Sequence, residues 1–267
     1  MSVPKAISEN LRVLLSFDVE EFDLPLEMGA KISEDDMFEI SKIGTERLLN
    51  LLDDYNIEAT FFSTTDFALH EKDIIRRIID SGHELASHGC NHQQPSLDYF
   101  ESKSILERSF DCLISGYRQP RMGNVDYIKL KKAGYKYDSS LHPTFMPGRY
   151  NHLKRPKTPF FQHGIMEIPV SVTPALRIPL FWLALQAYPM HVYKSLCKRA
   201  LLNAELLVLY FHPWQFADLT LANVKIPAAI KYNSGDKLLT RLAELILFLK
   251  KYNAEFLTFS HFYEKAL

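Results

Sequence analysis

The sequence predicts an α/β protein in which parallel strands, each followed by a helix, form a barrel. Short apolar runs that suit buried strands alternate with amphipathic stretches as far as the C-terminus. A polar residue closes several of these runs, and no glycine-rich nucleotide loop follows the first one. An open, doubly wound sheet is the alternative. At 267 residues the chain has the usual length of one barrel, about 250 residues, so we expect a single domain over 1–267.

The composition is that of a globular protein with a large core. Hydrophobic residues make up 47% and charged residues 24%. The net charge of -1 provides no basic field, so no nucleic-acid partner is predicted. The three cysteines (Cys90, Cys112 and Cys197) are too few and too scattered for a disulfide framework and fit a reducing compartment. Residues 1–10 lack the features of a secretory signal, and the predicted location is cytoplasmic.

The first half of the chain contains three predicted strands separated by helices. The run at 11–17 is almost continuously apolar, as expected of a strand buried on both faces, and carboxylates follow it directly. Charged and apolar residues recur at helical spacing in the next two stretches. The predicted strands are 11–17, 59–62 and 83–87, and the predicted helices are 45–55 and 74–79.

The second half continues the alternation around one long exception. Between 142 and 162 the chain has four prolines and little periodicity, which predicts an irregular loop of the kind kept for function. The predicted helices are 96–115, 125–133, 191–203, 237–252 and 260–267, and the predicted strands are 135–137, 166–172, 205–211 and 255–259.

The apolar stretch 178–190 is too short for a transmembrane helix, and no window offers about 18 uninterrupted apolar residues. Prolines lie near both of its ends. One interpretation is a helix packed into the domain. The other is an apolar lip that receives a lipid-linked substrate or makes peripheral contact with a membrane surface.

Polar residues follow five predicted strands, and the carboxyl ends of barrel strands converge on one mouth. Each residue has an ordinary alternative role, such as helix cap, turn former, surface ion pair or core histidine. Five unrelated explanations are less economical than one shared site. The residues are Asp18, His88, Arg118, Asp138 and His212.

A histidine pair adds a metal-binding pattern to this site. His88 and His92 are four residues apart directly after a predicted strand, close enough to bind one metal ion. Cys90 lies between them, and it is either a third ligand or a small buried residue.

Together these motifs resemble the NodB-homology polysaccharide deacetylases over about residues 12–260. The resemblance implies a distorted (β/α) barrel, commonly of seven strands, with a divalent metal, most often zinc. It also implies hydrolysis of an N-acetyl group on an amino sugar. The matching segments are Ser-Phe-Asp-Val-Glu at 16–20, Ser-His-x-x-x-His at 87–92, Tyr-Arg-Gln-Pro at 117–120, Asp-Ser-Ser at 138–140 and Tyr-Phe-His-Pro-Trp at 210–214.

The resemblance also implies a role for each catalytic residue. Asp18 would be the general base, and Arg118 would orient it and keep it ionised. His212 would be the general acid, with Asp138 supporting it.

The first motif departs from the usual family pattern of adjacent aspartates or Asp-x-Asp. Here Glu20 takes the position of the metal-binding aspartate, beside the ligands His88 and His92, and Glu21 is the alternative. Some relatives work without a metal, so the departure bears on the cofactor as well.

The expected substrate is an acetylated amino sugar in a polysaccharide, a glycan precursor or a lipid-linked glycan. Two alternatives stay open. One is hydrolysis of another non-peptide C–N bond, in a formamide or a ureide, and the other is a glycan-binding barrel whose altered first motif has impaired catalysis.

Overall fold

The computed structural model describes residues 10–93, 98–220 and 226–267, which form a mixed α/β fold around one curled sheet. The strand order is β10-β1-β2-β3-β4-β5-β9-β8, and β11 pairs with the start of β1. The strands are β1 Arg12–Val19, β2 Thr60–Ser63, β3 Glu84–Ser87, β4 Gly116–Tyr117, β5 Tyr137–Asp138, β6 Phe145–Met146, β7 Tyr150–Asn151, β8 Phe160–Gln162, β9 Ile165–Glu167, β10 Leu206–Phe211 and β11 Glu255–Phe256.

Helices lie between the strands along most of the chain. The longest, α2, begins after the side-chain cap Ser33 and ends at Asn56, which adopts the left-handed conformation. The helices are α1 Leu24–Glu27, α2 Glu34–Tyr55, α3 Thr65–His70, α4 Lys72–Asp80, α5 Tyr99–Phe110, α6 Tyr127–Lys132, α7 Trp182–Ala187, α8 Met190–Ala204, α9 Ala228–Lys231, α10 Asp236–Lys250 and α11 Phe259–Lys265.

Two hydrophobic clusters lie on the two faces of the sheet. Val13, Leu15 and Phe17 of β1 belong to the larger cluster, which the helices cover, while Leu14 belongs to a smaller cluster with Phe62 and Val208. Because side chains alternate along a strand, Ser16 and Asp18 lie on the same face as Leu14. The alternation of β1 therefore brings Asp18 to the inner face of the barrel.

The predicted α/β barrel is confirmed, and it is distorted. The main sheet has nine strands among the described residues instead of the seven expected, because β8 pairs with β9 at one edge and β11 pairs with the start of β1. Parallel pairing runs from β10 to β9, whereas β8 is antiparallel to β9. After β9 the chain reaches β10 at Ser171, whose backbone N–H donates to Val208 O (2.9 Å) and whose Oγ accepts from Val208 N–H (2.9 Å).

The segment predicted as an irregular loop, 142–162, is more regular than expected. It contains the antiparallel hairpin β6–β7 and the strand β8. Strands of two or three residues are too short to show alternation, so proline content dominated the prediction. Helix α2 also begins eleven residues before the predicted start of 45. Met37 and Phe38 are buried in this part of the helix, but the acidic residues at 34–36 directly before them make the apolar periodicity hard to recognise in the sequence.

The apolar stretch 178–190 contains α7 and packs partly into the domain. Leu180, Ala184 and Leu185 are buried in the larger cluster, in agreement with the first of the two interpretations. Among the described residues, no helix has the length and apolar character needed to cross a bilayer. The segment 1–9, which bears on the predicted absence of a secretory signal, and residues 96–97 of the helix predicted at 96–115 lie outside the described residues.

Candidate active site

A cavity of about 290 Å³ opens at the carboxyl ends of the strands. Asp18 at the end of β1 and His88 after β3 border it, and so does His212 after β10. The loop after β1 contributes Glu20, and the loop after β3 contributes His92. The structure therefore brings together five predicted residues from three separate strand ends.

Glu20 and the two histidines form a compact group of possible metal ligands. Glu20 Oε2 lies 3.2 Å from His88 Nε2 and 3.3 Å from His92 Nε2. All three side chains are buried, and Glu20 Oε2 has no hydrogen-bond partner among the described residues.

The other nitrogen of each ring indicates which tautomer is present. His88 Nδ1 lies 2.9 Å from the carbonyl oxygen of Arg118, and His92 Nδ1 lies 2.9 Å from Asp23 Oδ2. Both oxygens are acceptors, so each Nδ1 carries the hydrogen and each Nε2 presents a lone pair. In these neutral tautomers, two Nε2 lone pairs and a carboxylate oxygen thus face one another. This donor set fits a divalent cation such as zinc.

Glu21 and Cys90 are placed less well for the same ion. Glu21 Oε1 accepts from His92 N–H (3.3 Å), and its Oε2 accepts from Thr64 Oγ1 (3.3 Å). Cys90 is half-buried and belongs to neither candidate metal group found among the described residues. The geometry favours Glu20 over both.

Arg118 lies beneath the cavity and is fully buried. Its Nη1 donates to Asp18 Oδ1 (2.5 Å) and to Ser16 Oγ (2.9 Å). Its Nε and Nη2 donate to the backbone oxygen and the Oγ of Ser139, both at 3.0 Å. The ring of Phe62 lies 4.0 Å from the guanidinium carbon. These contacts fix the guanidinium, and with it the Asp18 carboxylate.

Asp18 remains ionised although it is buried. Burial alone would raise the pKa of this carboxyl, but the charge of Arg118, with contributions from His88 and His212, lowers the pKa below its ordinary value. An ionised carboxylate at the edge of the cavity can accept a proton.

His212 sits between aromatic rings at the side of the cavity. Its ring stacks on Trp214 with centroids 5.0 Å apart and meets Trp182 edge-on at 5.4 Å. Its Nε2 lies 3.9 Å from Glu20 Oε1, and its buried Nδ1 has no partner among the described residues. Burial lowers the pKa of His212 to about 4, so the resting imidazole is neutral.

Asp138 is not brought to His212, in contrast to the expectation that it supports this histidine. Its carboxylate accepts from Ser140 Oγ (2.7 Å) and Ser140 N–H (3.2 Å). Its side chain also interacts with that of Glu167, and the pKa of each carboxyl is raised, with burial as the main cause. β5 and β9 pair Asp138 with Glu167 in register, so the side chain is held in a buried carboxyl pair within the sheet.

Sequence reasoning missed several residues that contact the predicted ones. Asp23 orients His92, and Ser16 with Ser139 holds Arg118. Ser16 could have been found from its alternation with Asp18 on β1. Trp182 could not, because its contact with His212 joins distant parts of the chain.

Comparison with known proteins gives sequence matches to a family model and to a curated relative. Residues 32–119 match the family model described as polysaccharide deacetylase. A peptidoglycan deacetylase of Helicobacter pylori is 28% identical over 152 residues, which cover 51% of this chain and 52% of that protein. The chain thus matches about half the length of this curated relative. These matches confirm the resemblance drawn from the motifs.

Solved structures share the fold over almost the whole chain. A Mycobacterium smegmatis protein named for the polysaccharide deacetylases superposes with a TM-score of 0.66 at 22% identity, covering 99% of this chain and 92% of that one. An allantoinase also superposes with a TM-score of 0.66 at 14% identity, covering 99% of this chain and 97% of that one. At these identities the likeness concerns the fold alone.

Proposed function

We propose that the chain is a metal-dependent hydrolase of the polysaccharide deacetylase family, which it resembles over residues 32–119 and over the 152 residues matched in a curated relative. Its reaction would remove the N-acetyl group from an amino sugar in a polysaccharide, a glycan precursor or a lipid-linked glycan. The observation that carries the proposal is the convergence of Glu20, His88 and His92 beside an ionised Asp18.

Glu20, His88 and His92 would hold the metal, which we expect to be zinc. Imidazole nitrogens and a carboxylate oxygen are ligands that zinc commonly takes, and three protein ligands leave room for water or substrate. When bound, the ion polarises a carbonyl and lowers the pKa of water to about 7.

Asp18 would accept the proton of the attacking water. Its carboxylate is ionised, and Arg118 holds it through a 2.5 Å hydrogen bond at Oδ1. The same arginine favours the charged form that a base requires. Asp18 would therefore act as general base without reorganisation of its neighbours.

His212 would protonate the departing amine. The neutral resting imidazole must first take up a proton, because burial lowers its pKa to about 4. Loss of amide resonance in the tetrahedral intermediate restores the lone pair of the amine nitrogen, so this nitrogen can accept the proton as the C–N bond breaks. Stacking on Trp214 fixes the plane in which the ring can transfer it.

The walls of the cavity suit a sugar ring. Trp182, Trp214 and Tyr210 border the space on one side, and aromatic faces pack against the apolar C–H face of a sugar. These rings also limit the access of bulk water to the scissile amide.

Two substitutions test the roles of base and acid. Asp18→Asn and His212→Ala should each lower acetate release from an acetylated amino sugar by about 1,000-fold or more. Neither residue is a proposed ligand, so both variants should keep the zinc content of the parent protein. The exposed substitution Asp73→Asn is the matched control and should leave turnover unchanged. Normal turnover in Asp18→Asn or in His212→Ala would contradict the proposal.

Hydrolysis of a cyclic ureide is the second candidate, favoured by the fold shared with an allantoinase and by a cavity small enough for a single ring. Opening of a ureide ring without release of acetate from any acetylated sugar would identify this activity. Retention of sugar binding with neither reaction would instead identify a glycan-binding barrel.

A further inference from the structure

The hairpin β6–β7 borders the cavity and contributes one positively charged side chain to its lining. We propose that Arg149, on this hairpin, binds an anionic group of the substrate, either a phosphate ester or a carboxylate next to the acetylated sugar. The inference rests on the proposed function and narrows its substrate class. It concerns a segment that lies outside every motif quoted for the family.

The hairpin is built to present Arg149 at a fixed place. Arg149 N–H donates to Met146 O (3.0 Å) and closes a four-residue turn. Pro147 and Gly148 occupy the centre of the turn, and Gly148 has a φ of +76°. Proline followed by a glycine with positive φ is the pattern of a type II turn. The turn thus sets where the arginine leaves the backbone.

The base of the hairpin is anchored to the domain. Tyr150 OH lies 3.1 Å from His142 Nδ1, and the Tyr150 ring stacks on His152 with centroids 4.7 Å apart. His152 N–H donates to Thr144 O (2.9 Å). Met146, Arg149 and Tyr150 all border the cavity that contains the candidate metal ligands.

Apart from Glu20, the acidic groups that border the cavity have cationic or hydrogen-bonding partners. Asp18 pairs with Arg118, and Asp23 Oδ2 bonds His92 Nδ1. Arg121, the other arginine that borders the cavity, pairs with Glu27 at 2.7 Å.

Arg149 differs from these paired side chains. Within 10–93, 98–220 and 226–267 its guanidinium makes neither a hydrogen bond nor an ion pair. Its charge acts on the two tyrosines that border the cavity: burial raises the pKa of Tyr150 to about 12, and Arg149 opposes this rise and that of the Tyr210 pKa. The guanidinium therefore lies near the cavity and is available to a ligand.

A guanidinium offers paired N–H donors that match the oxygens of a phosphate or a carboxylate. An anionic substrate would otherwise be disfavoured by the carboxylates of this site. The positive charge of Arg149 would offset this repulsion, so sugars that carry an anionic group would bind more tightly than neutral ones.

Fluorescence provides a binding assay that does not require turnover. The chain has two tryptophans, Trp182 and Trp214, and both border the cavity. We would titrate the zinc-loaded protein with N-acetylglucosamine, N-acetylglucosamine 1-phosphate and N-acetylmuramic acid. At least one anionic sugar should bind about tenfold more tightly than the neutral sugar. Comparison of the affinities for the two anionic sugars shows whether the site prefers a phosphate or a carboxylate.

Variants of Arg149 then assign the preference. Arg149→Gln should abolish it and leave the affinity for N-acetylglucosamine unchanged, whereas Arg149→Lys should retain part of it. Arg76→Gln, an equivalent change on the exposed face of α4, should behave like the parent protein. Equal binding of neutral and anionic sugars, or a preference that persists in Arg149→Gln, would overturn the inference.

The same sugars separate this result from a failure of the proposed function. Acetate release from neutral and anionic sugars with equal binding would overturn only the inference. Absence of acetate release from all of them would contradict the proposed function, while the fluorescence titration would still decide whether Arg149 binds an anion.

Discussion

Glu20 is the residue whose environment depends most on a bound cation. Burial raises the pKa of Glu20 well above its ordinary value, and His92 only partly opposes this rise. Its Oε2 lies 3.2 Å from His88 Nε2 and 3.3 Å from His92 Nε2. A divalent ion would satisfy all three atoms at once and favour the ionised carboxylate.

Substitution of this glutamate tests the ligand set. Glu20→Gln keeps the shape of the side chain but removes its charge, so we expect the affinity for zinc to fall by about 100-fold or more. Competition with a chromophoric chelator measures this affinity directly. Glu21→Gln is the matched control, because Glu21 is already engaged by His92 N–H and Thr64, and it should bind zinc normally. Zinc loss in Glu21→Gln with retention in Glu20→Gln would reverse the assignment.

The sequence predicts a site residue well where its position is set by the end of the strand that directly precedes it. Asp18, His88 and His212 were found because each closes an apolar run, and the barrel brings such ends together. Asp23 was missed because its bond to His92 joins residues 69 positions apart. Asp138 was misplaced because nothing local indicates its pairing with Glu167 across β5 and β9.

Helix α2 contacts the loop that carries His212 more closely than a side chain would allow. A Cβ added to Gly44 would lie 1.8 Å from Pro213 O and 2.5 Å from Pro213 C. This glycine is therefore required for the approach of two backbones, since Pro213 directly follows the candidate general acid.

Gly44→Ala should lower both stability and activity. Alanine is the better helix former by about 1 kcal/mol, but overpacking against rigid backbone costs about 1–3 kcal/mol, so destabilisation should win. Displacement of Pro213 should also move His212 and reduce acetate release. Urea unfolding and turnover would be compared with Glu39→Ala, an exposed change to alanine on the same helix. A more stable variant of unchanged activity would show that the two backbones can separate freely.

Element prediction from the sequence worked best where burial is continuous. The run at 11–17 and that at 205–211 were identified because strands buried on both faces have few polar residues. The hairpin β6–β7 was missed because its strands have two residues each. Its turn, Pro147-Gly148, is a type II signal in the sequence, but a turn alone does not indicate that short strands pair on either side of it.

At the scale of the whole molecule, the pair formed by Asp138 and Glu167 links stability to pH. Burial, followed by the charge of Asp138, raises the pKa of Glu167 well above its ordinary value. Burial also raises the pKa of Asp138. Carboxyls with a higher pKa in the folded than in the unfolded state stabilise the fold below the unfolded pKa, and this contribution is lost as the pH rises through the folded pKa.

Glu167→Gln should remove the part of this pH dependence that Glu167 contributes. We expect the free energy of unfolding of the variant to increase relative to that of the parent protein as the pH rises from about 5 to about 8, by about 1.4 kcal/mol for each unit of pKa difference. Urea unfolding at both pH values measures this change. The exposed substitution Glu264→Gln is the control. A difference that stays constant with pH would indicate that Glu167 ionises normally in the folded protein.

The junction at Ser171 and the hairpin β6–β7 are separate features of the molecule, since β8 and β9 of the main sheet lie between them along the chain. The chain reaches β10 there through two hydrogen bonds to Val208, and the hairpin β6–β7 forms a small sheet of its own. Exchanges in the turn at 147–149 can therefore be made without altering the ladder that positions Asp18 and His88, as long as Tyr150 keeps its contact with His142. A grafted hairpin would be a practical route to altered substrate choice.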